Sequence, residues 1–133
     1  MPVALEIVSP EKLLLSRAVE MVVIPAAEGD MGILPQHAPM IVMLRGGTIN
    51  IFESGQISEK LFVSGGFAEV TPERVTVLAN EATPIAQLVK AEGEKRLAAA
   101  EAEYAAADKN DVLALDALMD RMQSARAYVE ASA

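Results

Sequence analysis

Residues 28 to 39 read Glu28-Gly29-Asp30-Met31-Gly32-Ile33-Leu34-Pro35-Gln36-His37-Ala38-Pro39. Two glycines, two prolines, two carboxylates and the only histidine of the chain fall in this stretch. Such dense backbone punctuation predicts a shaped loop, not a helix or a regular strand. Gly29 and Gly32 tolerate positive φ, while Pro35 and Pro39 fix φ and push Leu34 and Ala38 into extended conformations. Apolar runs flank the stretch, so a packed framework holds the loop ends. The residues alone leave two readings: a structural turn between strands, or a rigid loop carrying contacts with a partner.

The flanking chain reads as β structure. Val3, Leu5 and Ile7 alternate with Ala4, Glu6 and Val8 up to Ser9-Pro10, the period of a strand with one better-buried face. Leu13-Leu14-Leu15 is a short apolar run, and Ala18–Ile24 forms one β-branched segment closed by Pro25. Met40–Leu44 is continuously apolar, which predicts a strand covered on both faces. Further strands are expected at 48–53, 57–63, 67–70 and 74–79, separated by Gly46-Gly47, Ser54-Gly55, Gly65-Gly66 and Thr71-Pro72. Short strands with turns every eight to twelve residues point to a β-sandwich or barrel. Ser64-Gly65-Gly66 either cradles an anion or makes a tight turn or bulge where strands approach closely.

The composition changes at Glu81-Ala82-Thr83-Pro84. Thr83 is placed to cap a helix, with Pro84 in its first turn. Beyond it Ala, Glu, Leu and Lys dominate, and Ile85, Leu88, Val89, Leu97, Ala100 and Tyr104 roughly follow helical spacing. Glu92 and Gly93 weaken that stripe. Asp108–Asp111 is a polar connection, with Asn110 or Asp111 able to cap a second helix. Leu115, Leu118, Met119, Met122, Ala125 and Val129 keep the spacing of an amphipathic face. The expected architecture is α+β: an antiparallel β-sandwich over residues 1–84, followed by an antiparallel two-helix hairpin over 85–133. Thin, Ala-rich stripes imply modest burial and a hairpin able to leave the sandwich. The mixed charges from Lys90 to Arg96 read as a solvated helix face. Met40, Met43, Met119 and Met122 read as packing fillers.

Aromatic residues are only 4% of the chain and Trp is absent, so the core must be aliphatic. The formal charge of −8 argues against nucleic acid and against an anionic membrane surface. No cysteine is present, which removes thiolate chemistry and disulfides. No apolar run reaches the length of a membrane span, and Met1–Glu6 lacks the basic start of a secretory signal. No P-loop or G-x-S-x-G pattern occurs. His37 stands without a partner motif for general-base work, and Glu28, Asp30 and His37 match no familiar metal spacing. Neither a cofactor nor a metal is called for.

The run Glu-Gly-Asp-x-Gly-Ile-Leu-Pro-x-His-Ala-Pro resembles the signature loop of the epsilon subunit of bacterial F-type ATP synthases. Ser64–Val70 resembles that family's second signature, and Val75–Ala79 its last strand. The likeness runs from Val8-Ser9-Pro10 to the C-terminal hairpin. It implies a non-catalytic subunit of the rotating central stalk, coupling proton-driven rotation of the c-ring to ATP synthesis at the inner membrane's cytoplasmic face. By the same resemblance Glu28, Gly29 and Asp30 would face the c-ring, while Ser9 and His37 would lie nearer the gamma subunit. The hairpin would be the part able to reach the alpha and beta subunits. The family's ATP-linked pattern, Ile/Leu-Asp-x-x-Arg-Ala, aligns with Leu88-Val89-Lys90-Ala91-Glu92-Gly93, which lacks its acidic and basic members. Nucleotide sensing and strong inhibition by the hairpin are therefore not expected. The alternative is an acidic β-sandwich binding module working outside an ATP synthase.

Overall fold

The computed structural model describes residues 2–133. Ten strands come first: β1 (Val3–Val8), β2 (Leu13–Val19), β3 (Met21–Ala26), β4 (Gly29–Ile33), β5 (Met40–Leu44), β6 (Gly47–Glu53), β7 (Gln56–Val63), β8 (Gly66–Val70), β9 (Arg74–Ala79) and β10 (Ala82–Pro84). A 3-10 turn at Ile85–Gln87 leads to helices α1 (Lys90–Ala106) and α2 (Val112–Ala131). The strands run in the order β10-β7-β6-β3-β5-β8-β9-β1-β2, with β4 on the free side of β3. Pairing is antiparallel except between β1 and β9, which are parallel.

The sheet doubles over where β3 meets β5 at the single pair Ala26↔Leu44. Its halves close on an aliphatic core that includes Val3, Leu5, Ile7, Ile24, Ile33, Ile49, Ile51, Val75 and Val77. Burying each such side chain contributes about 1.5–3 kcal/mol relative to leaving it in water. At the far side Arg17 of β2 pairs with Glu53 at 3.0 Å and Glu59 at 2.8 Å, tying β2 to β6 and β7.

Five local expectations are corrected by the structure. Residues 29–33 are a regular strand, because Gly29–Ile33 pair along their whole length with Val22–Ala26; the irregular part is confined to 34–39. Gly32 does not take positive φ, which falls instead on Gly29 and on Gln36. Ala18–Ile24 is broken at Glu20 into the end of β2 and the start of β3. Met40–Leu44 is covered on one face only: Val42 and Leu44 are buried, whereas Ile41 is 71% and Met43 63% exposed. The first helix begins at Lys90, not after Thr83. Thr83 and Pro84 pair instead with Phe62 and Leu61, an edge position where proline's missing N–H leaves no ladder bond unmade.

The helices form the antiparallel hairpin, and Asp111 caps α2 by accepting from the Ala114 N–H at 3.2 Å. The hairpin lies against the sandwich. Gly93 is buried in the seam between helices, where a Cβ would stand 2.6 Å from Tyr128 Cδ1. It is there to let the helices approach, so its lower helix propensity is offset by packing. Of the four methionines expected as fillers, Met122 is buried and Met40 packs on the core, but Met43 and Met119 are exposed.

Candidate functional site

The first signature begins at the tight turn Ala27-Glu28 between β3 and β4. Gly29, at φ 140°, turns the chain back, a conformation that glycine adopts without a Cβ penalty. Glu28 and Asp30 are exposed and make no ion pair among the described residues. Asp30 also borders a groove of about 510 Å³ shared with Arg45, Arg126 and Glu130, so the turn and the C-terminal half of α2 are neighbours.

Register locates the other two signature residues. β5 runs from Met40, opposite Val70, to Leu44, opposite Gly66, and Gly66 in turn faces Ala79. β1 runs the same way, with Val8 beside Leu78. Ser9 therefore sits at the end of the sandwich that carries Glu28–Asp30 and Gly46. His37 sits at the opposite end, where the Gln36 N–H donates to the Pro72 carbonyl at 2.7 Å. His37 Nδ1 lies 2.8 Å from the Ala38 carbonyl oxygen. The five residues singled out by sequence thus do not converge on one pocket. Among the described residues no group of three metal-ligating side chains forms either.

Between Ser9 and His37 stretches the outer face of β5, β8, β9 and β1. Met43, Phe67, Leu78 and Val8 stand side by side across these strands, and Ile41, Glu69, Thr76 and Glu6 form the next row. Phe67 is 40% and Leu78 36% exposed. A contiguous apolar row with a polar border marks an interaction surface more than a solvated one. Sequence reasoning missed it because Met40–Leu44 looks buried throughout. The signal lay in β8, where Phe67 alternates with buried Ala68.

A second constellation fixes the hairpin. Arg96 of α1 grips Glu81 with two hydrogen bonds, Nη1 to Oε1 at 2.6 Å and Nη2 to Oε2 at 2.8 Å, and Nε reaches Glu92 at 3.1 Å. The paired fork geometry is stronger than a single neutral bond. Glu81's hydrogen bond holds the Arg96 guanidinium well above its ordinary pKa, so it stays charged. Its carbon lies 4.6 Å from the centre of the Tyr128 ring. That ring meets Phe62 edge-on at 5.1 Å, and its hydroxyl accepts from the Val89 N–H at 3.3 Å. Phe62 is fully buried, yet it lies outside the aliphatic core and under the hairpin. Farther along, Gln123 accepts from the Gly46 N–H at 3.0 Å and donates to its carbonyl at 2.7 Å. A Cβ on Gly46 would stand 2.5 Å from Ser124 Cα. Arg96 is thus a clamp, not part of a solvated face.

Gly65 and Gly66 take φ of 142° and 133°. A Cβ on Gly66 would lie 2.1 Å from the Leu78 carbonyl oxygen, so Gly66 serves close strand packing, the second of the two readings given above for this turn.

A β-sandwich with its displayed residues on turns and open strand faces, and a helical hairpin clamped to its flank, is built as an interaction module. Residues 2–85 match the beta-sandwich domain of the ATP synthase delta/epsilon chain. The chain is 64% identical over 129 residues to the ATP synthase epsilon chain of Granulibacter bethesdensis, covering 97% of this chain and 96% of that one. To the epsilon chain of Gluconacetobacter diazotrophicus it is 49% identical over 132 residues, with 99% and 94% covered. The chain belongs to the ATP synthase epsilon chain family. The fold also resembles a chain of the Euglena gracilis mitochondrial ATP synthase, solved by cryo-EM as OSCP/F1/c-ring in rotational state 1. That likeness has a TM-score of 0.74 at 23% identity, covering 95% of this chain and 80% of the other.

Proposed function

We propose that this chain is a non-catalytic subunit of the central stalk of a bacterial F-type ATP synthase, joining the gamma subunit to the c-ring. Its sandwich, residues 1–84, does the docking, and residues 85–133 form a regulatory appendage. The observation that carries the reading is the row Met43-Phe67-Leu78-Val8, an exposed apolar strip running across strands whose ends bear Ser9 and His37. A gamma subunit lying along those strands would span both residues, which are separated by about 15–20 Å of strand at roughly 3.3 Å per residue. Glu28, Gly29 and Asp30, at one end only, then face the polar loops of the c-ring. No helix among the described residues is long and apolar enough to cross a membrane.

The test is binding to purified gamma. Met43→Glu combined with Phe67→Glu places two charges in the proposed interface at positions already in water. Exposed substitutions usually change stability by less than about 0.5 kcal/mol. Loss of central interface contacts costs about 2 kcal/mol or more, roughly 30-fold in Kd. Affinity unchanged within threefold, with the fold intact, would remove this face from the gamma contact.

For the turn, Asp30→Lys is expected to leave the fold intact and to lower the coupling of proton flow to ATP synthesis in reconstituted membranes. Full coupling in that variant would take the turn out of the c-ring interface.

ATP is not expected to bind in the physiological millimolar range. Of the positions that would form a family-type site, Val89 donates its N–H to Tyr128, Glu92 pairs with Arg96, and Gly93 is packed beneath Tyr128. Opening the site would cost these contacts and set a carboxylate against phosphate. A calorimetric dissociation constant below one millimolar for ATP (an order-of-magnitude threshold of about 4 kcal/mol of binding free energy) would overturn this expectation.

A further inference from the structure

The signature strand β4 has an unused edge. Pro25 has no N–H, and its carbonyl accepts from the Arg45 N–H at 3.0 Å on the side of β5. The pair Pro25↔Asp30 is therefore a non-hydrogen-bonded pair of the antiparallel ladder, and the peptide groups of Asp30 point away from β3. Two residues on, those of Gly32 do the same. β4 pairs with β3 alone, so these two residues present N–H and C=O groups in register for one more strand.

Gly32 supplies a second observation. Its φ is not in the left-handed region, and a Cβ there would meet only Met21 Sδ at 3.6 Å and Val23 Cγ2 at 4.0 Å. Neither strain nor crowding within the chain requires glycine at this position. A need for close approach from outside would. Alongside, a cleft of about 520 Å³ lies between β4 and β5, lined on its core side by Met31, Met40 and Val42 and bordered by Glu28 and Asp30. Methionines accept apolar side chains of varied shape, and no cation of this chain lines the cleft.

We infer that the outer edge of β4 is a strand-addition site for an extended segment of a partner protein, one with alternating apolar side chains and a Lys or Arg opposite Asp30. Main-chain bonds to Asp30 and Gly32 would hold the segment, the methionine-lined cleft would take its inward side chains, and the carboxylates would select its charge. The inference rests on the reading that the Glu28–Asp30 turn meets a partner, and it specifies how.

Hydrogen exchange resolved to single amides, measured on the isolated subunit and on the reconstituted ATP synthase, tests it. The Asp30 and Gly32 amides should exchange rapidly in the free chain and at least about tenfold more slowly in the complex. Met31, already bonded to β3, should be protected in both. Gly32→Ala, whose Cβ would meet nothing of the chain closer than 3.6 Å, should weaken incorporation at least about tenfold while the free subunit keeps its melting temperature. Equal exchange of the Asp30 and Gly32 amides in both states overturns strand addition. If Asp30→Lys still impairs coupling in that case, the turn meets its partner through side chains only. If Asp30→Lys is also silent, the partner reading of the turn fails with it.

Discussion

Tyr128→Ala should release the helical hairpin from the sandwich and leave the sandwich folded. Tyr128 is 5% exposed and touches four residues at the junction. Its ring packs on Phe62 of β7, carries the Arg96 guanidinium of α1 and covers Gly93, and its hydroxyl takes the Val89 N–H of the connecting segment. Truncating a buried aromatic to Ala typically costs about 3–5 kcal/mol. The cation–π contact adds about 0.5–2 kcal/mol when partly desolvated. The remaining attachments include the Arg96–Glu81 pair, more than a third exposed on the glutamate side, and the contact of α2 at Gly46, where Gln123 makes two hydrogen bonds and Ser124 packs closely. An exposed pair contributes about 1 kcal/mol or less and each hydrogen bond about 0.5–1.5 kcal/mol, so the loss at the ring outweighs them. The aliphatic core contains no hairpin residue, which is why the sandwich should survive. The measurement is amide exchange over 61–63 and 112–131, with limited proteolysis at 85–89. Faster exchange in α2 with unchanged protection in β1 and β9 is the expected result. Tyr128→Phe is the control: it loses only the 3.3 Å bond to Val89, worth about 0.5–1.5 kcal/mol. A hairpin that stays protected in Tyr128→Ala would mean that the clamp does not lie at this ring.

How much of this was legible in the sequence follows from which interactions are local. The alternation of Val3, Leu5 and Ile7 reports a buried face directly, and all three are fully buried. Asp111 caps its helix because the cap is a bond between residues three apart. What failed depended on partners distant in the chain. Thr83-Pro84 carries a local helix-start signal, but the free edge of β7 captured it as β10. Met40–Leu44 has no polar residue to mark its open face; only the pairing of Met43 with exposed Phe67 does. Arg96 reads as one more surface charge until Glu81, at the end of the sandwich, is brought under it. Gly93 reads as a weak point until Tyr128 arrives from the second helix. For the candidate site, the sequence marks the Glu28–Asp30 turn but carries nothing that separates the two ends of the sandwich. Ser9 and His37 lie a strand's length apart, a separation that only the register of β1, β9, β8 and β5 reveals.

The largest effect on the fold itself should come from Gly66→Ala, a single methyl. Gly66 stands at φ 133°, where a side chain crowds its own backbone at a cost of about 1–3 kcal/mol. Its added Cβ would also lie 2.1 Å from the Leu78 carbonyl oxygen and 2.9 Å from Ala79 Cα. Both are backbone atoms of the neighbouring strand, so no flexible side chain can swing aside. The strand must move instead, and Gly66 is held on both sides, paired with Leu44 and with Ala79. The expected loss exceeds about 4 kcal/mol, in the exceptional range for one substitution and a large share of a typical 5–15 kcal/mol of stability. Gly55→Ala separates the two causes. Gly55 also has positive φ, at 75°, but nothing lies within 4 Å of its added Cβ, so it should lose only the backbone term of about 1–2 kcal/mol. Denaturant unfolding of the two variants measures both. A Gly66→Ala loss no larger than that of Gly55→Ala would show that β8 and β9 are not held as closely as their pairing indicates. The consequence reaches the partner surface, because Gly66 sets the approach of β8 to β9 immediately beside Phe67 and Leu78. Any variant that survives with β8 displaced would carry Phe67 out of line with Met43 and Leu78, and should bind gamma more weakly even where the core remains intact.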